Sequence, residues 1–216
     1  MATPEIEPLG PTILAINYFG DVIFAVSGAL TAARYRMDLI GVALIGIITG
    51  IGGGTIRDVL LGRTVWWTQD PTELVICLVA ALLTFFFLRG DVAQRHGMVW
   101  SDALGLAAFC VVGCHVALSM DTPVVVAVLM GMLTATGGGI IRDILTRTQP
   151  MILCGELYAT AALAGALAYA GLHALDADTA LASLGAFAVA LGLRAAAIVF
   201  GIKMGPPGDL ISIAQR

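Results

Sequence analysis

The chain carries one segment twice. Residues 38–58, DLIGVALIGIITGIGGGTIRD, align without a gap on residues 123–143, PVVVAVLMGMLTATGGGIIRD, pairing Gly46 with Gly131, Thr49 with Thr134, and both GGGxIRD blocks. Such self-similarity marks a structural unit built twice, so the fold has to accommodate two copies of it. Upstream, Asp21 in YFGDVIFAVSG is matched to Asp102 in VWSDALGLAAF, and downstream Glu73-Leu74 is matched to Glu156-Leu157, each with a small insertion or deletion.

The solvent for both copies is lipid. Of the 216 residues, 59% are hydrophobic and only 12% charged, and the mean hydropathy is +0.95, whereas a soluble domain carries about a quarter of its residues as charges. Apolar stretches cover roughly residues 12–33, 39–61, 72–88, 99–118, 122–145, 153–172 and 180–201. Each is close to the ~17–25 residues that cross a bilayer as a helix. Three spans fall in each copy, about 12–88 and about 99–172, and the span at about 180–201 is an addition. An odd number of spans forces the second copy to enter the membrane from the opposite face. The expected fold is therefore an all-α polytopic membrane protein in a single transmembrane domain: seven transmembrane helices as two inverted three-helix repeats plus one extra helix.

Arg34, Arg36, Arg89, Arg95, Arg147 and Lys203 fall on one side of this arrangement, against Arg63 on the other. The excess of basic loops predicts an outside N-terminus and a cytoplasmic C-terminus in a cell inner membrane. The first eleven residues carry Glu5 and Glu7 without Lys or Arg, so the basic start of a cleaved signal peptide is missing and the first span is expected to stay. Arg194 and Lys203 read as anchors at the interface.

Three successive glycines inside an apolar span cost about 1 kcal/mol each relative to alanine. Two explanations stand. Small residues let helices approach closely in membranes, which accounts for one glycine better than for three. Alternatively, the helices open at Gly52, Gly53 and Gly54 and at Gly137, Gly138 and Gly139, turning carbonyl oxygens toward a water-filled path. Thr49 and Thr134 could add hydroxyls to that path or bond back to their own helices. A nucleotide loop is excluded, because TGIGGGTIRD lacks the Walker lysine and any βα context.

Ionisable groups inside spans are costly and mark functional interiors. Asp21, Arg57, Asp58, Asp102, Arg142, Asp143 and Arg194 qualify. Depth along the helices predicts that Asp21 neutralises Arg57 in one half of the membrane and Asp102 neutralises Arg142 in the other, either as a cation-favouring field or as bolts between helices. Cys77, Cys110, Cys114 and Cys154 lie in apolar runs and read as buried hydrophobes. Cys110, Cys114 and His115 lack a fourth donor, so no metal is expected. With a net charge of −4 and no basic cluster among aromatics, no nucleic acid is expected as a partner.

The doubled GGGxIRD motif, an acidic residue in the first span of each repeat and the three-plus-three-plus-one layout resemble the prokaryotic trimeric intracellular cation (TRIC) channels, which overlap bacterial glycine-transporter-like membrane proteins. The resemblance runs from about Asn17 to Lys203. It implies a homotrimer in the lipid bilayer, each subunit with its own pore for monovalent cations, chiefly potassium, between the repeats. It also implies kinks in the second and fifth spans at the two glycine triplets. The basic lipid-binding motif of animal members has no counterpart in GIGGGTIRD.

The expected function is a potassium channel that is no enzyme and needs no cofactor beyond its permeant potassium or sodium ions. The glycine triplets, Thr49 and Thr134 would line the constriction, and Asp21, Arg57, Asp58, Asp102, Arg142 and Asp143 would set its electrostatics. The rival from another class is a secondary transporter of a small neutral solute such as glycine, since inverted repeats with broken helices also build carriers. A structural subunit with sealed helices is the third possibility.

Overall fold

The computed structural model of the protein describes residues 9–87, 91–154, 157–203 and 212–213. Among them, seven α-helices follow in order: α1 Pro11–Arg34, α2 Leu39–Leu60, α3 Thr72–Phe87, α4 Asp91–Leu118, α5 Val124–Leu145, α6 Ala159–Ala174 and α7 Thr179–Phe200. Five of these elements are long and apolar enough to cross a membrane: α1, α2, Arg95–Leu118 within α4, α5 and α7. The helices α3 and α6 have 16 residues each, about 24 Å at 1.5 Å per residue, and are apolar throughout most of their length. A short antiparallel pairing of Ile202–Lys203 with Ser212–Ile213 follows α7.

In the first repeat α1 packs on α2 and α3, and in the second α4 packs on α5 and α6, while α1 meets α4 and α2 meets α5 across the centre. The cross-contacts are reciprocal. A Cβ added to Gly20 would strike the Phe109 ring, and one added to Gly105 would strike the Phe24 ring; the two rings themselves meet edge to face at 5.2 Å. Reciprocity, in which a position of one unit contacts the same partner position in the other, is the signature of a two-fold axis. Because each unit crosses the membrane an odd number of times, that axis lies in the membrane plane.

The register between the repeats is gapless. The 3₁₀ turns Trp66–Thr68 and Met151–Leu153, the left-handed residues Arg36 and Asp121, and the left-handed Gly62 and Arg147 are all separated by the offset that carries Gly53 onto Gly138. So are the packing contacts of Gly46 on Ala81 and Gly131 on Ala166, and of Gly28 on Thr49 and Gly113 on Thr134. At this offset the counterpart of Asp102 is Asn17, that of Asp21 is Leu106, and that of Glu73 is Tyr158. The matching of Asp21 with Asp102 is thereby corrected: the helix contacts leave no room for an insertion. Glu156 lies outside the described residues.

The expected opening of the helices at the glycine triplets is also corrected. Helix α2 runs unbroken through Gly52, Gly53 and Gly54, and α5 through Gly137, Gly138 and Gly139. The triplets serve contact, and each glycine has its own partner. A Cβ on Gly52 would press on Ile141 at 3.0 Å and one on Gly137 on Ile56 at 3.2 Å. A Cβ on Gly53 would fall on the carbonyl of Thr134, and one on Gly138 on the carbonyl of Thr49. Gly54 makes room for the Trp66 indole and Gly139 for the Tyr158 hydroxyl. Thus α2 and α5 cross backbone on backbone at the centre of the molecule, in the manner by which small residues drive helix association in lipid.

Gly53→Ala and Gly138→Ala should therefore each destabilise the protein by about 1–3 kcal/mol through overpacking against backbone that cannot move aside. Gly171→Ala, where a Cβ meets nothing within 4 Å, should be neutral or stabilising by up to ~1 kcal/mol. Thermal unfolding of the three purified variants checks the contrast.

Candidate functional site: two charged vestibules

Two cavities flank the α2–α5 crossing at opposite ends of the helices. The first, about 370 Å³, lies at the C-terminal end of α2 and is lined by Asn17, Tyr18, Arg57, Arg63, Trp66 and Glu73 among others. Its position follows from local structure: α2 ends at Leu60, the chain turns through left-handed Gly62, and the turn at Trp66–Thr68 folds back over the helix end. Arg57, in the last turn, donates to Asp58 Oδ1 at 2.8 Å through Nε and lies 5.3 Å over the Trp66 ring. Arg63 reaches the same Asp58 oxygen at 3.6 Å. From the opposite wall, Asn17 Nδ2 donates to Glu73 Oε1 at 2.8 Å and to Asp21 Oδ2 at 3.3 Å. At the rim, the hydroxyl and amide of Thr72 donate to Asp70 at 2.6 and 3.0 Å, which holds the Asp70 carboxyl below its ordinary range.

The second cavity, about 200 Å³, lies at the C-terminal end of α5 and includes Thr31, Arg34, Tyr35, Asp143, Thr148 and Met151 in its lining. Here the arginine is locked. Arg142 is fully buried; it donates to Asp102 Oδ1 at 2.6 Å, to Ser27 Oγ at 2.7 Å and to Asp143 Oδ1 at 2.8 Å. Asp143 Oδ2 in turn accepts from the Met151 amide at 3.1 Å, which ties the following turn to the helix end. Arg194 of α7, also fully buried, stacks at 5.2 Å over Tyr158.

The expected pairs divide accordingly. Asp102 and Arg142 bond directly, while Arg57 turns to its own neighbour Asp58 and to Trp66; Asp21 turns to Asn17. The reason is the register: the residue facing Arg57 where Asp102 faces Arg142 is Asn17, which cannot neutralise it. Thr49 and Thr134 give their hydroxyls to the carbonyls of Ile45 and Met130, each at 2.6 Å, so these are back-bonded. Arg194, read as an interfacial anchor, is instead interior, because Tyr158 offers its ring face as a cover. Asn17, Ser27, Trp66, Glu73 and Tyr158 lie outside the expected set; the gapless offset from Asp102 is the signal that finds Asn17, and no local signal marks the other four.

A fully buried ion pair costs much to break, about 3–5 kcal/mol when one partner alone is removed. Asp102→Asn should therefore destabilise by that order, and Arg142→Gln in the same chain should recover part of the loss, a coupling above ~1 kcal/mol. The cycle on Asp21 and Arg57, which interact through space without a direct bond, should show a smaller coupling than that of Asp102 and Arg142. Denaturation midpoints of the wild type and the six variants that make up the two cycles check both.

Comparison with known proteins agrees with this geometry. A family model described as "Glycine transporter" matches twice, over residues 14–89 and 99–174, at the same offset. The UPF0126 inner membrane protein YadS of Escherichia coli (strain K12) is 40% identical over 195 residues, covering 88% of this chain and 93% of that one. The structure of the TRIC trimeric intracellular cation channel orthologue from Rhodobacter sphaeroides is 44% identical, with a TM-score of 0.86 over 89% of this chain and 100% of that one. A second structure, solved to explain conductance through TRIC cation channels, is 36% identical with a TM-score of 0.80, over 89% of this chain and 96% of that one. With both repeats matched in sequence and the whole helical frame matched in structure, the chain is a multi-pass membrane protein and belongs to the TRIC channel family, whose members also carry the glycine-transporter and UPF0126 descriptions.

Proposed function

We propose that the protein is a channel for monovalent cations, chiefly potassium, that works as a homotrimer in the cell inner membrane with one pore in each subunit between the two repeats. The observation that carries this reading is the pair of vestibules. They open at opposite ends of the α2–α5 crossing, and each is lined from both repeats: Val116 of the second repeat joins the first cavity, and Leu30, Thr31, Arg34 and Tyr35 of the first repeat join the second. A path from one to the other passes the Gly53–Gly138 contact, which is where a pore between the repeats would be closed or opened. Small backbone-on-backbone contacts suit that role, since a slight separation of two helices there exposes carbonyl oxygens, which favour cations. The related structures named above are cation channels, and one is described as trimeric.

The acidic residues carry the field. Asp21, Asp58 and Glu73 face Arg57 and Arg63 in one vestibule, and in the other Asp102 and Asp143 flank Arg142. The arginines hold the carboxylates in place. Carriage of glycine is the second reading. One observation favours it: the larger cavity presents guanidinium groups suited to a carboxylate beside carboxylates suited to an ammonium. The orientation follows the distribution of basic residues, with the N-terminus outside, the Arg57 vestibule on the outer face and the Arg142 vestibule on the cytoplasmic face.

Purified protein in liposomes should pass potassium down its gradient, seen as a voltage-dependent dye response, and should accumulate no radiolabelled glycine; uptake of glycine without potassium flux overturns the channel. In a Cys154→Ser background, cysteine at Asp70 or Asp176 should react with a membrane-impermeant thiol reagent from outside, and cysteine at Asp91 from inside. The opposite labelling pattern overturns the orientation.

A further inference from the structure

We propose that Asp21, Glu73 and Asn17 form a binding site for one dehydrated monovalent cation, present in the Arg57 vestibule and without a counterpart in the Arg142 vestibule. Its role as a resting place for the permeant ion rests on the channel reading.

Three observations lead there. Asp21 is fully buried and Glu73 only 7% exposed, yet Asp21 Oδ1 and Glu73 Oε2 have no hydrogen-bond partner among the described residues. Carboxylate oxygens taken out of water without a partner are strongly disfavoured as charges, and a bound cation satisfies both of them at once. Second, Asn17 supplies both hydrogens of one amide nitrogen, to Glu73 and to Asp21. This cross-link holds two like charges near each other instead of letting them separate. Third, acids outnumber bases here: among the described residues Asp21, Asp58, Asp70 and Glu73 stand against Arg57 and Arg63, and Asp58 pairs directly with both arginines. Arg57 bonds directly to Asp58 and stacks on Trp66, and it reaches Asp21 and Glu73 only through space. The surplus is negative, and a bound cation relieves it.

The chemistry of the donors agrees. They are oxygens alone, which suit hard cations. No group of three or more His, Cys, Asp or Glu side chains placed to hold a metal ion occurs among the described residues, so the multi-carboxylate cage of a divalent site is not what these residues build. Asn17 and Glu73 line the 370 Å³ cavity, giving access from one face, and Asp21 lies one helical turn deeper on α1. In the other vestibule the equivalent positions are Asp102, Leu106 and Tyr158. There the acid is bonded to Arg142 and the other two groups carry no charge, so the same site cannot form. The two ends of the path would therefore differ: one holds an ion, and the other holds its charges closed on themselves.

The test is thermal unfolding of the full-length protein in detergent at constant ionic strength, with N-methyl-D-glucamine chloride replaced stepwise by potassium or sodium chloride. Ligands that bind only the folded state raise its melting temperature with concentration. The wild type should show such a rise, and magnesium at equal ionic strength should not reproduce it. Glu73→Gln should shift the potassium dependence at least tenfold to higher concentration. Asp21→Asn should abolish it and melt above the wild type in the cation-free medium, because an uncompensated charge has been removed; a purely structural aspartate would melt lower. No cation dependence in the wild type overturns the site without need of any variant, as does a dependence unchanged in both variants or a response to pH alone. Potassium flux in liposomes from the same preparations separates the two readings. Flux without cation-dependent stabilisation removes the site and leaves the channel, and stabilisation without flux removes the channel and leaves the bound cation.

Discussion

The contact of Gly53 with the Thr134 carbonyl, and of Gly138 with that of Thr49, is the constraint around which the molecule is organised. In lipid there is no hydrophobic gain in bringing two helices together, since the tails are as apolar as leucine. Close approach has to be secured by shape, and the absence of three side chains on each helix provides it. The consequence reaches outward: with α2 and α5 pressed together, the arginines in their last turns point to opposite ends, and each helix end is left to build its own vestibule. The triplets thus fix the position of both charge clusters, although they carry no charge.

The clusters solve the problem of intramembrane arginine in two ways. Around Arg142, two carboxylates, a serine hydroxyl and a thioether close on the guanidinium, and nothing polar on it faces outward. Around Arg57, the adjacent Asp58 and the Trp66 face take that role, and the acids on α1 and α3 are left to each other through Asn17. A buried ion pair is weak evidence for stability, but the contacts of this guanidinium with Asp102, Asp143, Ser27 and Met151 hold it in one place. The Arg142 end is accordingly the rigid one, and the Arg57 end, with the larger cavity, holds the surplus negative charge that a cation path needs.

The seven spans, their inversion and the pairing of α2 with α5 were readable from the chain because hydropathy and an ungapped repeat report directly on crossing number and symmetry. The charge pairs were readable only in part. Asp102 with Arg142 followed from depth along the helix. Asp21 with Arg57 did not, because the eye pairs aspartate with aspartate, whereas the fold pairs positions, and Asn17 stands where Asp102 stands. Helix opening at the triplets was expected from the cost of glycine in a helix interior. That cost is offset here by contacts made with residues distant in sequence, Ile141, Thr134 and Trp66 for one triplet, which no local argument can supply. Arg194 was misplaced for a related reason: a buried arginine is found only when its aromatic cover, Tyr158 on another helix, is known to lie against it.

The pattern of likeness and difference between the repeats has a physical origin. At the two-fold axis a residue of one repeat contacts its own equivalents, so a change at Gly53 is felt by Thr134 and a change at Gly138 by Thr49. Drift on either side damages the shared interface, and the glycines, the threonines and the Phe24–Phe109 pair stay matched. The vestibules lie away from the axis and open to different solutions. Nothing couples Asn17 to Asp102, Asp21 to Leu106 or Glu73 to Tyr158, so these positions are free to take different residues without cost to the crossing. A duplicated unit in inverted pairing therefore keeps a symmetric crossing and acquires asymmetric ends, and an asymmetric pair of ends is what lets a symmetric frame distinguish one side of a membrane from the other.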